Sequence, residues 1–269
     1  MLKKLFYYEW KDCWKMLSLL NGVVLVLTVI GVITFQNDIW SKADESEIVA
    51  MTLFGYMIFY VIAVMALSMV SGLYFWYRFY KNLYTDQGYL MFTLPVNAHQ
   101  IIWSKAFVAM IWYFICMVVM MVSVVSMVAS AASGAGAANV FAEIAELFRE
   151  IFEIEGGGLM LILMAICAVV STIMAILLGY ASVSIGQLFK KHRLGAAVGV
   201  YVALNMAIQM ISSYASIPLS TFMIKIENEQ EGMMSMCIVF AFMIVVISAV
   251  SVGLYFITHY IMEHKLNLE

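Results

Sequence analysis

Six long apolar stretches dominate this sequence and restrict the folds that the chain can adopt. Each is long enough for the roughly 20 residues that an α-helix needs to cross a hydrocarbon core about 30 Å thick. A β-barrel would instead require alternating segments of about ten residues, and backbone groups in lipid must be paired internally. We therefore predict an all-α membrane protein, one transmembrane domain over residues 1–269 with spans at 17–35, 48–76, 106–132, 159–188, 194–217 and 235–258.

The composition is that of a chain surrounded by lipid. Apolar and aromatic residues make up 65% of the sequence and charged residues 12%, against about a quarter charged in soluble domains. A soluble chain of this size could not keep so little charge on its surface. The composition therefore argues against a soluble enzyme.

The charged residues sort into two groups once the spans are placed. The amino terminus, residues 77–105, residues 190–193 and the tail 259–269 together hold 11 Lys and Arg with 5 acidic residues. The other three connections hold 3 basic residues with 12 acidic ones. Cytoplasmic connections carry an excess of Lys and Arg. We therefore predict that both termini lie in the cytoplasm, which agrees with an even number of spans across the cell membrane.

Two amphipathic segments lie outside the six stretches. In residues 1–15 aromatic and apolar side chains recur at helical spacing, which predicts a helix lying in the cytoplasmic interface. Aromatic anchoring of the first span is the alternative. Residues 139–155 combine an apolar stripe with a face of glutamates, which predicts an external amphipathic helix that guards an exit or binds a partner. Its alternative is a solvated acidic face on a long connection.

The spans contain no Asp, Glu, Lys, Arg or His. Carriers driven by protons or ions place ionisable residues or broken helices near the middle of the membrane, so this absence argues against such a carrier. None of the 16 glycines is followed by Lys, which excludes a P-loop for ATP. We therefore predict no enzymatic activity, cofactor, metal site or nucleic-acid partner for this chain, and any transport would draw its energy from a separate protein.

Uncharged polar residues form stripes along the third, fifth and sixth spans, and small residues form a stripe along the fifth. On the fifth span, the small-residue stripe lies about 200° around the axis from the polar one, so one side predicts helix packing and the other a polar surface. The polar stripes predict a translocation path, with hydrogen bonding between helices as the alternative. The path residues are Ser123, Ser126, Ser130, Asn205, Gln209 and Ser212, and the packing residues are Gly195, Gly199, Ala203 and Ala207.

The connection at residues 77–105 has the most specific pattern. Thr85 or Asp86 is placed to cap a short apolar helix that Pro95 ends, and Asn97 with Gln100 is placed to start the next helix. An exposed apolar helix of this kind is usually a partner site. An interfacial helix that rests on lipid is the alternative.

Two sequence blocks in the predicted cytoplasmic connections resemble a known family. Residues 78–96, RFYKNLYTDQGYLMFTLPV, and residues 184–189, SIGQLF, before a basic turn, are similar to permease subunits of type-2 ATP-binding-cassette transporters from Gram-positive bacteria. The resemblance implies a permease that pairs with an identical or related chain and carries two cytosolic ATPase subunits. It implies that residues 86–94 form the coupling helix and residues 1–15 the connecting helix. The ATPase-docking residues it implies are Asp86, Tyr89, Leu90, Met91, Phe92 and Leu94, with Lys190, Lys191 and Arg193 as a second contact.

These patterns together predict an export permease that works by alternating access. A path without charge suits amphipathic or hydrophobic peptides, lipids or drugs better than compact ions. A membrane scaffold or sensor is the competing class, and a passive channel is a third. A scaffold does not need polar stripes and a channel does not need an apolar docking helix, so the combination favours the transporter.

Overall fold

The computed structural model describes residues 2–36, 46–85, 88, 97–134, 140–154, 156–189, 192–223 and 229–264. Regular structure in these residues is entirely helical. The helices are α1 (Leu2–Gln36), α2 (Glu47–Tyr84), α3 (Ala98–Gly134), α4 (Val140–Glu153), α5 (Gly157–Gly186), α6 (Arg193–Met223) and α7 (Glu229–His264).

Six of these helices, all except α4, are long and apolar enough to cross a membrane. The protein is therefore an all-α, multi-pass membrane protein, and the predicted fold class is confirmed. The predicted amphipathic helix is present as the 14 residues of α4, and α3 begins directly after Asn97, as the sequence indicates.

Most helices extend beyond the apolar stretches that predict them. The predicted interfacial segment and the first span form one uninterrupted helix, α1, because residues 2–21 contain neither Pro nor Gly to end it. Helix α6 continues past Pro218 to Met223, whereas the predicted span stops at residue 217. Proline removes one backbone hydrogen bond, and helices in membranes tolerate that loss when other groups compensate.

The chain divides into two compact units. Unit A contains residues 7–73 and 111–149, and unit B contains residues 1–6, 74–110 and 150–269. Helices α2 and α3 each contribute residues to both units.

Unit A is built around a seam between α1 and α3. Buried positions on α1 recur at intervals of four and three residues, which is the heptad spacing of packed helices. These positions are Leu17, Asn21, Val24, Thr28, Gly31 and Phe35. Trp14 contacts Trp112 with ring centroids 6.0 Å apart, and Thr28 contacts Ser123 further along both helices. Because the contacts advance together along the two sequences, α1 and α3 run in the same direction.

Unit B is organised around α5, which packs against both α6 and α7. Residues 176–184 of α5 are all buried. A Cβ atom on Gly186 would lie 2.6 Å from the Cα atom of Ala197 on α6, so the two helix backbones are in direct contact there. Only glycine permits this approach.

A tight glycine turn joins α4 to α5. Gly156 has a φ of 92°, which is the left-handed region that favours glycine. A Cβ on Gly157 would lie 1.7 Å from the carbonyl oxygen of Ile151. The chain therefore reverses after α4 through a left-handed glycine at 156 and a position, 157, that has no room for a side chain.

Candidate docking and coupling site

The carboxyl end of α2 is packed against the carboxyl end of α5 in unit B. The rings of Phe79 and Tyr180 stack with centroids 3.9 Å apart and planes 10° apart. One turn further on, the Tyr84 hydroxyl donates a hydrogen bond to Ser184 Oγ at 2.8 Å. These contacts bring together residues of the two sequence blocks, 78–96 and 184–189, on which the family resemblance depends.

Trp76 fixes the same region of α2 one turn earlier. Its ring lies between Gly179 of α5 and Tyr201 of α6, with the Trp76 and Tyr201 centroids 4.6 Å apart. A Cβ on Gly179 would lie 1.8 Å from Trp76 Nε1. The Trp76 ring therefore fits only because residue 179 has no side chain. The end of α2 is held by two neighbouring helices.

The local sequence explains why this face of α2 is buried. Trp76, Phe79 and Leu83 follow one another at intervals of three and four residues, which places them on one side of the helix. Phe79 and Leu83 are fully buried. Tyr77, between Trp76 and Phe79 in sequence, points away and is 55% exposed.

The predicted docking segment begins where this packed end of α2 stops. Thr85 Oγ1 donates a hydrogen bond to the Lys81 carbonyl at 2.5 Å, and the Gly88 N–H donates to the Thr85 carbonyl at 2.7 Å. On the far side, Ile101 and Ile102 in the first turns of α3 are fully buried. Both ends of the segment therefore enter well-packed helices of unit B.

Most of the docking residues that the resemblance implies lie outside the described residues. They are Asp86, Tyr89, Leu90, Met91, Phe92, Leu94, Lys190 and Lys191. Arg193 is described, is half-buried and forms the first residue of α6. Their role in docking stays a prediction.

The hydrogen bond between Tyr84 and Ser184 gives a first testable prediction. We expect Tyr84→Phe and Ser184→Ala each to destabilise the protein by about 1 kcal/mol. Each substitution removes the hydrogen bond and leaves the hydroxyl group of the other residue without its partner. Thermal unfolding of the purified protein should register each change as a fall in Tm of about 2–4 °C.

A double-mutant cycle with the same two substitutions tests whether the bond itself is responsible. The double variant should be clearly less destabilised than the sum of the single variants. Tyr77→Phe, at an exposed tyrosine of the same helix, is the matched control and should leave Tm unchanged. Additive effects of the two substitutions would contradict the bond.

The polar stripe on α3 lies in unit A and its hydroxyl groups are already paired. Ser123 is fully buried, lies 2.5 Å from the Thr28 hydroxyl and is also hydrogen-bonded to the Tyr60 hydroxyl. Ser126 and Ser130 donate to carbonyls of their own helix, at 2.7 and 2.9 Å. In this structure Ser123 joins α1, α2 and α3, and a role of the stripe in a path stays a prediction.

The polar stripe on α6 is more accessible. Gln209 Nε2 donates a hydrogen bond to Asn205 Oδ1 at 2.8 Å. Gln209 is exposed, whereas Asn205 and Ser212 are half-buried. The two amides therefore pair with each other on the surface of the single chain.

The predicted packing stripe on α6 is also on the surface. Gly195, Gly199, Ala203 and Ala207 are all exposed, and a Cβ on Gly199 would meet no atom within 4 Å. Within the chain, α6 approaches α5 through Ala197 instead. The stripe is thus free to meet a helix from elsewhere.

The fold defines the class of the protein, an all-α membrane protein with six helices able to span a bilayer. The chain matches no protein-family model, and neither a curated protein nor a solved structure shows detectable similarity to it. Membership of the permease family therefore stays a prediction from the two sequence blocks.

Proposed function

We propose that this chain is the transmembrane subunit of an ATP-driven exporter, energised by a separate cytosolic ATPase that docks on residues 86–94. The observation that carries the proposal is the packing of α2 against α5 through Phe79, Tyr84 and their partners. A docking segment can move transmembrane helices only if both of its ends are firmly attached to them. The segment between α2 and α3 meets that requirement.

The distribution of charge supports the orientation that this function needs. The four segments that together hold the excess of Lys and Arg include the connection with the docking segment and both termini, and cytoplasmic connections carry such an excess. In the proposed orientation, residues 86–94 lie on the side of the ATPase. Helix α4, with its exposed Phe148 and Phe152, lies outside the cell.

The exposed residues of α6 support the proposal that the complex contains a second permease chain, identical or related. An amide exposed to hydrocarbon is costly, whereas amide groups between helices are hydrogen-bonded. Small residues such as Gly199 let another backbone approach closely. Because the two stripes lie on nearly opposite sides of α6, a second chain would cover the small residues and leave the amides to face another helix or the proposed path. The complex would then contain two permeases and two ATPase subunits.

The proposed mechanism is alternating access around a path of uncharged side chains. Closure of the ATPase pair would move the docking segments, and the packed ends of α2 and α5 would move with them. The uncharged spans suit an amphipathic or hydrophobic substrate such as a peptide, lipid or drug. Hydrolysis of ATP takes place on the partner, so this chain supplies binding and movement only.

Co-purification with the ATPase encoded nearest to this chain tests the proposal. We expect a stable complex with the unaltered chain and the loss of that complex in the Leu90→Asp, Phe92→Asp double variant. The two substitutions remove apolar side chains that anchor the contact and bury two carboxylates in their place. The affinity for the ATPase should therefore fall by at least about 100-fold.

A matched control introduces two aspartates elsewhere, at Phe148 and Phe152, which are both exposed. The Phe148→Asp, Phe152→Asp variant alters α4 and should retain the ATPase fully. If no ATPase binds, or if both double variants bind equally well, the coupling segment has no docking role. A membrane scaffold or sensor would then be the better account.

A further inference from the structure

A small apolar cavity lies in unit B between α3, α5 and α7. Its walls include Ala106, Phe107 and Met110 of α3, Ile173 and Leu177 of α5, and Tyr255 of α7. The cavity is partly open, and Phe107 in its wall is 40% exposed. The cavity therefore opens on the outer side of helices that are long and apolar enough to span a membrane.

A polar rim adjoins this apolar cavity. The Tyr255 ring lines the cavity, and its hydroxyl is hydrogen-bonded to His99 Nδ1. Trp103 lies beside both residues, with its ring centroid 6.0 Å from Tyr255 and 6.4 Å from His99. His259 adjoins Tyr255 at 5.8 Å and pairs with Glu263 at 3.4 Å.

The hydrogen bond between His99 and Tyr255 leaves a donor for a ligand. If the Tyr255 hydroxyl donates to Nδ1, the imidazole carries its hydrogen on Nε2, which is then available. If Nδ1 donates instead, the Tyr255 hydroxyl hydrogen is available. In either arrangement the rim presents one N–H or O–H donor beside an apolar cavity.

The size and polarity of the cavity identify the kind of occupant. Its volume is about 30 Å³, and about 10–15 Å³ admits one water-sized group. It therefore accepts a short stretch of hydrocarbon but is too small for a whole substrate molecule. Apolar cavities stay dry and take apolar ligands, so ordered water is not expected there.

We propose that this cavity and its rim form a binding site for one membrane phospholipid. Part of an acyl chain fills the space beside Ala106 and Ile173. The phosphate and ester oxygens, which only accept hydrogen bonds, lie over the donor that His99 and Tyr255 present. The anionic phosphate is complementary to this donor, and Trp and Tyr are enriched at the level of lipid headgroups. The site does not depend on the proposed transport function.

Photolabelling of the full chain tests this site. The protein is placed in phosphatidylcholine vesicles that contain phosphatidylcholine with a diazirine on one acyl chain. Adducts mapped by mass spectrometry should concentrate on the cavity walls at residues 103–110 and 173–177. They should exceed the background at Phe114 and Val118, which are exposed positions on the same α3 helix.

Filling the cavity should remove the excess labelling. In Ala106→Phe, and independently in Ile173→Phe, adducts on the opposite wall should fall about tenfold. The affinity for the acyl chain falls by about that factor when about two of its methylene groups can no longer be buried. Val118→Phe adds the same ring outside the cavity and should change nothing. His99→Phe keeps a ring but removes the donor, and should lower the labelling severalfold.

Three results would overturn the proposal. The first is labelling of the walls that does not exceed the labelling at Phe114 and Val118. The second is labelling that persists in correctly folded Ala106→Phe and Ile173→Phe proteins. The third is complete displacement of the label by oleate at a concentration that leaves the vesicles intact, which would assign the cavity to free fatty acid.

Discussion

Replacing Phe79 by alanine should lower the free energy of unfolding by about 3–5 kcal/mol, the range for truncating a buried phenylalanine. The Phe79 side chain is 1% exposed and stacks on Tyr180 with centroids 3.9 Å apart. Its removal leaves a cavity between α2 and α5 and exposes one face of the Tyr180 ring. Thermal unfolding of the purified protein should show Tm lowered by roughly 6–20 °C.

Tyr77→Ala is the control for this substitution. Tyr77 is an aromatic residue of the same helix, but its side chain is 55% exposed, and a surface substitution usually changes stability by less than about 0.5 kcal/mol. Equal destabilisation by Phe79→Ala and Tyr77→Ala would mean that α2 is not attached to α5 at this point. The proposed transmission of movement would then lose its structural basis.

A single methyl group at Gly179 should also have a large effect. The added Cβ would lie 1.8 Å from Trp76 Nε1, and the Trp76 ring cannot simply turn aside because Tyr201 packs against it. Overpacking of this kind costs about 1–3 kcal/mol. We expect Gly179→Ala to lower Tm by roughly 2–12 °C in the same assay.

The glycines at 55 and 253 provide matched controls with the opposite expected sign. A Cβ at either position meets nothing within 4 Å. Alanine is favoured over glycine within a helix by about 0.5–1 kcal/mol, so Gly55→Ala and Gly253→Ala should stabilise the protein slightly. Destabilisation by all three substitutions to the same extent would contradict the close contact between α5 and Trp76.

The six spans follow from the sequence because long apolar runs are a local property. The positions of the helix ends do not follow from the sequence, since charged and aromatic residues at a membrane surface can continue a helix without continuing the apolar pattern. Helix α2 therefore runs to Tyr84 rather than 76, and α7 runs to His264 rather than 258. The turn at Gly156 is predictable because only the local glycine triplet determines it.

The partners of the candidate site do not follow from the sequence. Tyr84 and Ser184 are 100 residues apart, and a single sequence carries no signal that pairs them. The same applies to Ser123, whose stripe on α3 predicts a polar surface with two possible uses. Its contacts with Thr28 and Tyr60 depend on how α1, α2 and α3 pack.

The central proposal is that a separate ATPase works through residues 86–94, and the rate of ATP hydrolysis tests it most directly. The rate is measured for the ATPase alone, for its complex with the unaltered chain, and for mixtures with the two double variants. We expect the unaltered chain and the Phe148→Asp, Phe152→Asp control to change the rate to the same extent. With Leu90→Asp, Phe92→Asp the rate should equal that of the ATPase alone. A rate that responds equally to all three chains, or to none, would contradict the proposal.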